Sequence, residues 1–195
     1  MLYFVLQVFH HFVVETRGIN WLVYFSCYVA VLTMLLVYFS IDVVLHPKWA
    51  ECIKRLALLI ALCTCVAFIF DIAVFSRNVR VTRVILQPFA WTSEGSHEQA
   101  KGAIYDIFNM MLFVPYSVLF SNFISVCFKT SVCRSFTLTI VSAGLLSICV
   151  EVLQLKFSLG TFETEDIICN VLGAIVGGLP YLIRGLVHSR VHFIN

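Results

Sequence analysis

The charged residues of this chain stand between long uncharged apolar runs, and that spacing restricts the fold more than any other feature. Crossing the hydrocarbon core of a bilayer takes about 20 apolar residues in a helix. Runs of this order lie between Arg17 and Asp42, between Arg55 and Arg77, from Ile104 to Phe128, from Ser135 to Phe157 and from Asp166 to Val187. The second carries Asp71 about a turn and a half from its end. In lipid every backbone N–H and C=O must be satisfied internally, so such runs imply helices. Composition agrees, with 61% of the 195 residues hydrophobic and 12% charged, where soluble domains are about half apolar and a quarter charged. The mean hydropathy is +0.96. A net charge of +2, scattered along the chain, argues against a nucleic-acid partner.

The predicted fold is therefore all-α, a polytopic transmembrane helical bundle with about five spans behind a short apolar N-terminal segment. Residues 1–14 would reach only about 21 Å as a helix, and they lack both a basic n-region and a small-residue cleavage site. An interfacial or re-entrant segment is expected there, with a sixth span as the alternative. The chain divides into this segment (1–18), two helices (19–75), a polar connection with three helices (76–185) and a C-terminal tail (186–195). Trp21, Trp49, Trp91, Tyr105, Tyr116 and Tyr181 stand where interface anchors belong.

Five spans put the connections 76–103 and 158–165 on one side of the membrane. The other side holds 42–53, 129–134 and the C-terminus. Lys and Arg favour that second side by seven to six, which places the C-terminus in the cytoplasm of a multi-pass cell-membrane protein. Helix order alone puts the start of the third span, the end of the fourth and the start of the fifth at one surface.

Polar residues gather at that surface. Asp106 and Asn109 open the third span, Glu151 and Gln154 close the fourth, and Asp166 and Asn170 open the fifth. Each pair is spaced i, i+3 or i, i+4 and so shares a helix face. Asn109, Glu151 and Asn170 all fall roughly 6–9 Å below the surface. An ionisable group in hydrocarbon costs about 2.5–3.5 kcal/mol even on insertion scales, so such groups point to function. Interhelical hydrogen bonding is the plainer use of each amide taken singly. Gly173 and Gly177 continue the Asn170 stripe and allow close helix packing, and Pro115 can kink the third span to make room for polar groups. Arg83, with Arg77, Arg80 and Lys101 on the same side, could clamp a phosphate or carboxylate over the cluster, or simply meet anionic lipid.

The same residues carry a family resemblance. Asp106, Asn109 and Pro115 in one span, Glu151 and Gln154 near the end of the next, and Asp166, Asn170, Gly173 and Gly177 opening the last resemble the VanZ-like family of small bacterial membrane proteins. Upstream, RVILQPF at 83–89 is similar to the family's Arg…Asn-x-x-Pro-Phe element, but Val84 or Ile85 stands where Asn is expected. The segment TFETED at 161–166 lacks the Arg often found there. The resemblance covers about residues 80–185. It implies a cell-envelope factor associated with resistance to the glycopeptide teicoplanin, without assigning a chemistry.

No H-E-x-x-H, P-loop, G-x-S-x-G or G-x-G-x-x-G motif is present. The cysteines within spans read as small apolar residues, and His10-His11 and His97-Glu98 are too isolated to make a metal site. No metal or cofactor is predicted. Two function classes remain. The first is a non-catalytic factor binding a membrane lipid, a lipid-linked wall precursor or a glycopeptide through Asp106, Asn109, Glu151, Gln154, Asp166, Asn170 and Arg83. The second is an intramembrane enzyme acting on a lipid head group, with Glu151 as acid or base.

Overall fold

The computed structural model describes residues 47–75, 81–93 and 95–194, together with Val29 and Thr33. The apolar segment 1–14 with His10 and His11, the rest of the first predicted span, and Arg77 and Arg80 lie outside the described residues. Four long helices dominate: α1 (Pro47–Phe70), α2 (Ser96–Phe128), α3 (Val132–Phe157) and α4 (Thr164–Ile194). Each is long and apolar enough to cross a membrane, in line with the second to fifth predicted spans.

The apolar spacing of each helix explains its place in the bundle. Leu58, Ala61, Leu62, Cys65 and Ile69 recur along one face of α1 and are buried. They meet Phe113, Tyr116 and Leu119 of α2, Ala143 and Val150 of α3 and Ala174 of α4 in one core. Trp49, Leu56, Leu59 and Ile60 occupy the opposite side of α1 and are exposed, as a lipid-facing surface requires. Tyr116 is a core residue rather than an interface anchor: it is 4% exposed and its hydroxyl donates to Ser142 Oγ. The α2–α4 pair is the most extensive helix contact. A Cβ at Gly173 would strike the Met110 carbonyl, and one at Gly177 would strike Val114 O and Ser117 Oγ, so both positions need glycine for this approach. α2 runs through Pro115 as a single helix.

Two of the helices are longer, and the connections between helices less uniform, than the sequence implies. α2 begins at Ser96, upstream of the predicted Ile104, and α4 extends to Ile194 through the expected tail. α1 passes into a π-helical turn, Asp71–Phe75. Strand β1 (Val81–Ile85) and strand β2 (Leu159–Glu163) then form a two-stranded parallel sheet, with Arg83 opposite Thr161 and Ile85 opposite Glu163. β1 follows α1 and precedes α2, while β2 joins α3 to α4. Their pairing ties both connections to one end of the bundle, as the helix order requires. Ser158, with φ 55°, ends α3 in the left-handed region and turns the chain into β2.

Candidate functional site

The end of the bundle carrying the sheet is where the predicted residues meet. Asp166 lies in the first turn of α4, where the helix dipole favours a carboxylate by about 0.3–1 kcal/mol. There its Oδ1 accepts a hydrogen bond from Asn109 Nδ2 of α2 at 2.6 Å. One turn further along α4, Asn170 Nδ2 donates to Ser147 Oγ of α3 at 2.9 Å. Ser147 is itself one turn before Glu151. The three helices are thus bridged by polar side chains at adjacent levels, and Asp106, Glu151, Gln154 and Asn170 are all buried.

Glu151 is 1% exposed and its Oε2 accepts the backbone N–H of Glu163, the last residue of β2, at 3.0 Å. Glu165 does the same for the other connection, its Oε2 accepting the Phe89 N–H at 2.5 Å. Phe89 has φ 57°, so this carboxylate holds the chain where it reverses between β1 and the 3-10 turn Ala90–Ser93. Two acids therefore anchor the two connections. Each satisfies an N–H that would otherwise be orphaned near hydrocarbon.

The 3-10 turn lays Trp91 over α2. Its ring packs onto Gly102, where any Cβ would collide with it, and it forms an edge contact with Phe89. The Cys169 thiol and the Trp91 indole lie near the Asp106 carboxyl, as does Glu165, and the indole N–H is buried without a hydrogen-bond partner among the described residues. Asp106, Asn109, Glu165, Asp166 and Cys169 thus form one neighbourhood between α2 and α4, with Glu151, Ser147 and Asn170 beside it between α3 and α4.

The VanZ/LLP1 sequence profile matches residues 55–185. The chain belongs to the VanZ/LLP1 family. The matched stretch starts in α1 and so includes a helix that the short motifs leave outside the resemblance. No curated protein and no solved structure matches the chain. As a VanZ-like membrane protein, it places its motif residues at one end of the bundle, with Gly173 and Gly177 at the α2–α4 crossing.

Two predicted residues behave differently. Gln154 is buried but turns to α1, donating from Nε2 to the Ala73 carbonyl in the π-helical turn at 3.0 Å. Arg83 is exposed on β1 and makes no ion pair among the described residues. Ser147, Trp91, Cys169, Glu163 and Glu165 join the cluster without having been singled out. Ser147 had a signal in its spacing: Ser135, Thr139, Ala143, Ser147 and Glu151 recur every four residues on α3 and are all buried. Ser121 and Thr139 share a hydrogen bond lower on the same seam, at 2.9 Å, which suits close helix packing by small polar residues. Among the described residues no group of three or more His, Cys, Asp or Glu side chains is arranged to hold a metal.

Proposed function

We propose that this VanZ/LLP1-family protein is a non-catalytic factor of the cell envelope. It crosses the cell membrane several times with its C-terminus in the cytoplasm. It binds a lipid, a lipid-linked wall precursor or an amphiphilic glycopeptide at the polar end of its bundle. One observation carries this reading. Buried carboxylates and amides from three helices converge at one end. Their number exceeds what helix packing alone needs. The use of a Glu151 oxygen as a backbone anchor favours binding over acid–base chemistry.

Photoactivatable lipid tests the proposal. The protein is reconstituted with a diacyl lipid bearing a reactive group near its head, irradiated and digested, and the adducts are mapped. Adducts should concentrate in residues 102–110, 147–154 and 163–173. Even labelling along the exposed faces, at Val141, Leu145 and Ile183 for example, would mean ordinary solvation by lipid and would end the proposal.

A further inference from the structure

We propose that residues 86–93 form a lid over Asp106, latched shut by Glu165 and hinged at the start of α2. The lid controls access to the cluster and holds whichever ligand the cluster takes. Its backbone is strained at one point. Phe89 has φ 57°, a left-handed conformation that is unusual for a bulky side chain. Such strain persists only where the surroundings enforce it, and it concentrates at switches and clamps. Here the enforcing group is Glu165, from the first turn of α4, whose Oε2 accepts the Phe89 N–H at 2.5 Å. A carboxylate acceptor makes this a strong hydrogen bond. Beyond Phe89 the segment is tied to itself. Thr92 donates from both its N–H and its hydroxyl to the Phe89 carbonyl, and Ser93 Oγ donates to the Ala90 carbonyl. Residues 89–93 therefore move as one piece.

That piece carries Trp91, which does the covering. Its ring packs onto Gly102, one turn before Asp106 on the same face of α2. Trp91 is itself half-buried, while Asp106 is 8% exposed and Cys169, across on α4, is 2% exposed. The ring thus stands between the outside and both groups. The closed position has a second defect besides Phe89: the indole N–H is buried without a hydrogen-bond partner among the described residues, a state that buried donors normally avoid. Burial of the ring and the Glu165 latch oppose these two defects, and opening relieves both. The hinge is also visible. Gly95 caps the start of α2, and a Cβ there would meet nothing within 4 Å. Gln99 Nε2 donates to the Thr92 carbonyl at 2.9 Å, so the turn stays fastened to α2 when the latch to α4 breaks. Release of Phe89 then lets Trp91 swing away from Gly102 and uncovers Asp106 and Cys169.

Cys169 reports the opening and Cys65, 1% exposed in the bundle core, reports loosening of the whole bundle. Two full-length proteins are prepared in detergent, one keeping Cys169 alone and one keeping Cys65 alone, and alkylation by iodoacetamide is followed by mass spectrometry. Glu165→Ala should speed Cys169 alkylation by about tenfold or more, since local opening limits the rate. Glu165→Gln keeps an oxygen acceptor without the charge and should speed it by about two- to fivefold. Neither should change the Cys65 rate by more than about twofold. Trp91→Ala removes the cover and should match Glu165→Ala, and combining the two should add less than about a further twofold. An unchanged Cys169 rate in Glu165→Ala overturns the lid. So does equal acceleration at Cys65, which would mean that the bundle loosens as a whole. Multiplying effects in the double variant would show that Glu165 does not act through Trp91, and would overturn the latch. These rates read access alone, so loss of the lipid-binding reading would leave the lid standing, and loss of the lid would leave that reading standing.

Discussion

The Glu151 carboxylate lies 3.0 Å from the backbone nitrogen of Glu163 and accepts its hydrogen bond, joining the end of α3 to the end of the strand that follows it. A buried side chain thereby sets where the chain enters α4. Glu151→Gln keeps an oxygen acceptor and nearly the same shape, so it should change stability by less than about 1 kcal/mol. Glu151→Ala leaves the N–H without a partner and should cost about 1–3 kcal/mol, with a further loss for the cavity. Unfolding of both variants in mixed micelles measures the difference. Lipid capture by the same variants tells the two function classes apart. Full function in Glu151→Gln with loss in Glu151→Ala makes Glu151 a structural hydrogen-bonder and removes the enzyme alternative.

Gly173 and Gly177 allow α2 and α4 to touch through their backbones, and the collisions a Cβ would make are with main-chain carbonyls that cannot rotate away. Gly173→Ala and Gly177→Ala should therefore each destabilise the bundle by about 1–3 kcal/mol through overpacking. Gly144 provides the contrast. Its Cβ would meet only Val171 Cγ2 at 3.7 Å, an ordinary contact, and α3 gains helix propensity from alanine. Gly144→Ala should be neutral or stabilising. A large loss at Gly144, or none at Gly173, would contradict the described helix crossing.

The parts legible in the sequence were those that lipid dictates. A span must be long, apolar and helical, so α1 to α4 are visible as gaps between charges. Polar residues inside those gaps stand out, and helical spacing assigns them to faces, which is why Asn109, Glu151 and Asn170 could be set at one level. The sheet was not legible because VTRVI and LGTFE are five-residue segments in different connections. Neither segment alternates strongly, and only their pairing makes them strands. Gln154 donates to the Ala73 backbone carbonyl, a partner that no residue type announces. Cys169 read as inert filling and Trp91 as an interface anchor. The place of Trp91 depends on how the 3-10 turn folds over α2, and that of Cys169 on how α2 and α4 pack.

The positive-inside count favours a cytoplasmic C-terminus by a single residue, and chemical access can decide it. On a background without native cysteines, single cysteines at Gln87 and Ser93, both exposed near the sheet, should react with a membrane-impermeant maleimide in intact cells. One at Ser131, exposed in the α2–α3 turn, should react only after permeabilisation. The reverse pattern would put the cluster in the cytoplasmic leaflet. Direct contact with an external glycopeptide would then be excluded, while the shared end of the three helices would stand.

Asn109 and Asp166 bridge α2 and α4 in the cluster, Asn109 Nδ2 donating to Asp166 Oδ1 at 2.6 Å. Exchanging the two groups tests whether the bridge holds the helices or merely accompanies their packing. Asn109→Asp alone sets two carboxylates against each other and should destabilise by about 1–3 kcal/mol. Asp166→Asn alone keeps a weaker neutral hydrogen bond and forgoes the favourable acid near the start of α4, so its loss should be smaller, about 0.5–1 kcal/mol. The double exchange restores an amide facing a carboxylate. It should recover at least half of the Asn109→Asp loss, and the remainder should reflect the displaced charge at the helix start. Additive losses in the double variant would show no coupling between the residues, and the bridge could then no longer be held to fix the two helices at this level.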